Sequence, residues 1–149
     1  MTIQQYLIKI DLLQKEENRN AFFVNSDLEK FVLKISSNSA ENYFLLDYFL
    51  QKSVSKPIAI NSKIIAQFSN HMGLLFLEEE EIGNVCFAAS NELRSEYRQS
   101  FRLLDVLDYI YAFADSSIYK KTKKIILPPD AASFWNLVEI VNNIRKTEE

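Results

Sequence analysis

From Leu104 to Tyr119 the chain reads LDVLDYIYAFADSSIY, dense in large apolar side chains and free of glycine and proline. Such a run constrains the fold more than any other part of the sequence. Arg102–Ala114 has clear helical patterning, and Asn91–Ser100 before it is its only equal. Tyr109, Ile110 and Phe113, with Phe134 and Trp135 further on, can be read as a base-stacking platform or as core. Their helical spacing favours the core. The same economy of breakers holds throughout: 149 residues contain 2 glycines and 3 prolines against 11 phenylalanines and 7 tyrosines, which favours long ordered elements over a loop-rich scaffold. A chain of this length fits one domain, residues 1–149.

Elsewhere the patterning is mixed. Ile3, Tyr6, Leu7, Ile10 and Leu13 recur at helical spacing and predict an opening helix that fades over Lys15–Asn20. Ala21–Val24 has the character of a short buried strand. Asp27 is placed to cap Leu28–Ile35, although the second half of that stretch also fits a strand, and Ser36–Ser39 predicts a break. Ala40–Lys52 is expected to be helical and very apolar, with Tyr43, Phe44, Leu46, Asp47 and Leu50 spread over more than one face. Pro57 begins an extended piece, Ile58–Ile60. Ser62 can cap Lys63–His71, and Gly73 is placed to end that helix. Leu74–Leu77 and Asn84–Ala89 flank EEEEIG and predict a hairpin. A short helix near Ser117–Lys124 follows the long apolar one. Asp130, after Pro128-Pro129, opens a last helix carrying Leu137, Val138, Val141 and Ile144. The fold class expected is α+β, a helix-dominant single domain with a small antiparallel sheet or hairpin.

Several classes of chemistry find little footing. No apolar run approaches the ~20 residues that cross a bilayer, and MTIQQYLIKIDLL lacks the layout of a secretion signal. A single cysteine cannot form an internal disulfide, which fits a cytoplasmic location. The lone His71 and Cys86 make no dyad by sequence. Glu78–Glu81 could share a metal between two carboxylates at most, and a solvated hairpin tip explains them better. Clustered metal ligands and a glycine-rich phosphate loop are both missing. The expectation is no catalytic residue, metal or cofactor. A small-molecule enzyme would rest only on His71, Cys86 and the glutamates.

Charge is unevenly placed. The whole chain is −3, yet between Arg94 and Lys124 seven cations face Glu96, Asp105, Asp108 and Asp115, leaving that segment +3 and the remainder −6. Arg94, Arg98 and Arg102 recur every fourth residue and would align on a helix, where guanidinium groups can follow phosphates or reach guanine edges. The alternative is a solvated face neutralised by nearby acids. Lys120, Lys121, Lys123 and Lys124 form a second patch beside Tyr119, suited to phosphate attraction. A lysine-rich helix end is also ordinary, because cations stabilise a helix C-terminus.

The order Asp105-Val-Leu-Asp-Tyr-Ile-Tyr-Ala112, Ser116-Ser117-Ile-Tyr119, basic residues, Leu127-Pro128, then Asp130 through Phe134-Trp135 and Leu137 forms a pattern. It resembles the C-terminal target-recognition region of type ISP and related single-chain restriction–modification enzymes, which carry an adenine-specific DNA methyltransferase upstream. The similarity spans about Lys63–Ile144 and is clear from Asp105 to Leu137. Three departures stand out. The usual proline after the serine is Ser117, Lys120 stands where arginine is common, and the Phe-Pro-Arg-Ile-Pro strand is reduced to Ile125-Ile126-Leu127-Pro128-Pro129. The catalytic Asn-Pro-Pro-Tyr motif and the nuclease and helicase motifs are absent from this sequence.

The resemblance implies a DNA target-recognition module, with double-stranded DNA as partner and a methyltransferase or restriction subunit supplying the chemistry. Its DNA-binding set would be Arg94, Arg98, Arg102, Lys120, Lys121, Lys123 and Lys124. A reading of another class is an acidic α+β protein-interaction module, an inhibitor or scaffold subunit. Net negative charge and abundant aromatic side chains motivate it.

Overall fold

A computed structural model describes residues 2–15, 26–39, 41–53, 56–77 and 99–148. In chain order the elements are α1 (Ile3–Lys15), α2 (Ser26–Ser39), β1 (Tyr43–Phe44), α3 (Leu46–Phe49), β2 (Leu50–Ser53), β3 (Lys56–Ile60), α4 (Ser62–Met72), β4 (Leu75–Leu77), β5 (Ser100–Arg102), α5 (Leu103–Ala114), α6 (Ser117–Thr122), β6 (Ile125–Ile126) and α7 (Ala131–Glu148). The fold is helix-dominant α+β. Among the described residues the strands pair two at a time: β1 with β6 and β2 with β3 antiparallel, β4 with β5 parallel. No helix among the described residues is long and apolar enough to cross a membrane.

Helix α5 is the axis of the core. Every residue from Val106 to Ala114 is buried, so neighbours enclose this helix on all sides. Those neighbours are α7, α1, α2, α6 and the strands β5 and β6. Ring contacts run through the interior from Phe44 to Phe68, Tyr109, Phe134 and Phe101. Tyr109 stacks on Phe134 at 5.5 Å between centroids, and its hydroxyl donates to the Ile126 carbonyl, fastening α5 to β6. Phe134 and Trp135 are buried as well. These aromatics are therefore core and not a base-stacking surface.

Two segments depart from expectation. Ala40–Lys52 is not one helix, because its apolar residues would have lain on several faces with nothing to cover them. The chain instead alternates, with Phe44 and Leu46 buried and Tyr43 and Leu45 exposed. It then takes one helical turn that buries Phe49 and Leu50. This division sends every inward side chain to the core and releases β2 to form a hairpin with β3. Serines at 36–39 do not break α2 either. The Ser37 hydroxyl donates to the Leu33 carbonyl at 2.9 Å, so the helix itself supplies the side chain's partner.

Other ends follow ordinary capping chemistry. Asn61, rather than Ser62, caps α4 through a 3.0 Å bond from the Lys63 N–H. Gly73 ends it at φ 67°, a conformation that costs glycine little. Asp130 accepts from the Ser133 N–H at 2.8 Å at the start of α7. Leu75–Leu77 runs parallel to Ser100–Arg102. The second arm of the expected hairpin, Asn84–Ala89, lies outside the described residues, as does Ala21–Val24.

Candidate nucleic-acid interface

The lysine cluster is built by a short helix held at both ends. At its start the Ser116 hydroxyl donates to the Phe113 carbonyl at 2.6 Å and accepts from the Tyr119 N–H at 3.3 Å, joining α5 to α6. Ser117, where the resembled pattern carries proline, uses the N–H that proline lacks. Its N–H and hydroxyl donate to Glu29 of α2 at 3.1 and 2.9 Å. At the far end Lys123 adopts a left-handed conformation, φ 59°, and its N–H donates to the Tyr119 carbonyl. A non-glycine residue in this conformation costs roughly 1–2 kcal/mol.

Four lysines therefore stand within five residues around one chain reversal. Lys121 and Lys123 are exposed, Lys120 and Lys124 half-buried. No salt bridge engages Lys121, Lys123 or Lys124 among the described residues. Two of them stand over aromatic rings. The Lys123 ammonium lies 5.7 Å from the Tyr119 ring centroid and the Lys124 ammonium 4.3 Å from that of Tyr43. The latter contact follows from strand register. Tyr43 is paired with Ile126, so Lys124 is its diagonal neighbour across the ladder, within reach of a long side chain. Tyr43 is 43% exposed.

Of the acids that the linear sequence set against these cations, Asp105, Asp108 and Asp115 lie among the described residues. The Asp105 carboxylate accepts from the Arg102 N–H at the start of α5. Asp108 and Asp115 are buried. Nearer the lysines stands Asp47, whose charge adds to burial in pushing the Tyr119 hydroxyl up to about 12. Asp47 itself lies 3.7 Å from Lys52.

Arg102 does not join the lysines. It ends β5 and precedes α5, whereas α6 follows that helix's other end, about 18 Å away along a 12-residue axis. Because Arg102 belongs to a strand, the arginine stripe expected on a helix does not continue through it. Arg94 and Arg98 lie outside the described residues, together with Cys86 and Glu78–Glu81. His71 sits half-buried in the last turn of α4. No group of three metal-ligating side chains occurs among the described residues.

Sequence reasoning missed two features. One is Tyr43, whose relation to Lys124 depends on a strand pairing across some eighty residues of chain. The other is a buried polar network: Asp108 accepts from Tyr6 Oη at 2.6 Å and from Arg145 Nε and Nη2 at 3.1 and 3.0 Å. Arg145 also donates to Asn142 and lies 6.0 Å from the Tyr6 ring centroid. Burial raises the Asp108 carboxyl above its ordinary value, opposed by the hydrogen bonds and charge of Arg145 and by the Tyr6 hydroxyl. An aspartate inside so apolar a helix was the signal, since a buried carboxylate demands donors. Comparison with known proteins finds no match to this chain among family models, curated proteins or solved structures.

Proposed function

We propose that this chain is a DNA-binding module without a reaction of its own, serving target recognition in a restriction–modification or DNA methyltransferase system. The observation that carries the binding half is the lysine reversal. Lys120, Lys121, Lys123 and Lys124 stand on and just beyond one short helix, three of them with no carboxylate in a salt bridge among the described residues. Cations whose neighbours are rings remain available to an external anion, and DNA phosphates are the anions spaced to meet several at once. The assignment to restriction–modification rests on the order of motifs from Asp105 to Leu137. Arg94, Arg98 and Arg102 would extend the contact beyond the lysine end, with methyltransferase or nuclease chemistry supplied by another polypeptide or domain.

A salt series on duplex DNA tests this. Lys121→Glu with Lys123→Glu should weaken binding and flatten the dependence of log K on log salt by about 1.8, roughly 0.9 for each phosphate that is no longer neutralised. Equal affinity and equal slope in the double variant would remove the basis for the reading.

A second reading, a protein-interaction module, draws on α1. Ile8 and Leu12 are 49% and 51% exposed and one turn apart, so they form a short apolar stripe on an outer face. Light scattering of the wild type and of Leu12→Glu tests it. Association that the substitution abolishes supports this reading, and a monomer in both removes its motive.

A further inference from the structure

We infer that the lysine end is built to hold an unpaired DNA strand, with a base stacked on Tyr43 and its flanking phosphates on Lys121, Lys123 and Lys124. This deepens the DNA-binding reading and rests on it. A surface that meets only the outside of a duplex needs cations and hydrogen-bond donors; rings add little, because paired bases keep their faces in the stack. Surfaces for unpaired strands add an exposed ring beside the cations, since every base offers a face to stack on.

Tyr43 meets that requirement. It is 43% exposed, stands on a strand whose other residue, Phe44, is anchored in the core, and carries the Lys124 ammonium 4.3 Å from its centroid. The Lys124 ammonium is a partner that a base can replace. An exposed cation–π contact is weaker than stacking of a base on an aromatic side chain. A phosphate beside the ring would draw Lys124 off while the base takes its place. The strand pairing of Tyr43 with Ile126 fixes the distance from ring to lysines before any ligand arrives. Phe134 and Trp135, which would otherwise offer stacking faces, are inaccessible.

Anisotropy titrations with labelled oligo-dT and with a duplex of equal length decide the matter. Tyr43→Ala and Tyr43→Leu should each weaken oligo-dT binding about tenfold, leave the duplex within twofold, and unfold at the wild-type urea midpoint or close to it. Tyr43→Phe should bind both like wild type. Tyr43→Leu keeps apolar bulk in the strand, so a loss shared by both variants reports the ring and not the fold. If neither variant changes oligo-dT binding, or both weaken duplex and single strand alike, while Lys121→Glu/Lys123→Glu weakens both ligands, the stacking inference is overturned and DNA binding stands. If the lysine variant also binds both ligands as wild type does, both readings fall.

Discussion

Among the tyrosines that carry a cation over the ring, Tyr6 and Tyr43 differ most in what surrounds the pair. At Tyr6 the cation is Arg145, held by both oxygens of Asp108 and by Asn142. Its side chain is 15% exposed and that of Asp108 is 1% exposed. These bonds, with that of the Tyr6 hydroxyl to Asp108, join α1, α5 and α7. At Tyr43 the cation is Lys124, half-buried and with no carboxylate in a salt bridge among the described residues, over a ring that is exposed. One charge has been consumed by folding and the other has been left over. Counting charges in sequence cannot make that distinction, because Asp108 and Lys124 enter the count with equal weight.

The sharpest way to break the comparison is to empty the buried side. Asp108→Ala strands the Arg145 guanidinium and the Tyr6 hydroxyl, and should cost about 3–5 kcal/mol of stability in urea denaturation. A loss below about 1 kcal/mol would mean that the network does not hold the helices together. Tyr6→Phe removes one donor to a charged acceptor and should cost about 1.5–3 kcal/mol. It should also push the Asp108 carboxyl further up, since the Tyr6 hydroxyl lowers it.

Acidity provides a finer test. Burial sets the Asp108 carboxyl above 3.8 in the fold, so the folded chain binds this proton more tightly than the unfolded one. Its contribution is complete below 3.8 and declines as pH rises through the folded value. Asp108→Asn, which stays neutral, lacks that decline. Wild-type stability minus that of Asp108→Asn should therefore shrink as pH climbs. A gap that widens instead would show Arg145 overcoming burial.

The smallest effect should come from the surface side and carry the opposite sign. Lys123→Gly relieves a left-handed residue at the end of α6 and should raise stability by about 1 kcal/mol. The same change removes a cation, so duplex affinity should fall and the salt slope flatten by about 0.9. A variant that is more stable and binds less well would place Lys123 on the functional side of the divide.

Legibility in the sequence followed how local the cause was. The helices α1, α5 and α7 could be read from spacing alone, because their buried residues recur within a few positions. Ala40–Lys52 could not. Its apolar residues satisfy a helix in count but not in face, and what divides them is the pairing of Tyr43 and Phe44 with Ile126 and Ile125, far along the chain. Parallel pairing of β4 with β5 is equally non-local. The lysine patch was visible because its members fall within five residues, whereas its aromatic companion Tyr43 depended on that same remote pairing. Arg102 was misplaced because regular spacing of arginines takes no account of where a strand hands over to a helix.

The Glu29 bond to Ser117 reaches across 88 residues to steady the tip that displays the lysines. It lies at the solvent margin, outside the packed interior, where a single polar contact weighs little against the total free energy of folding. Such a tether can be loosened, shortened or exchanged without endangering the body beneath it.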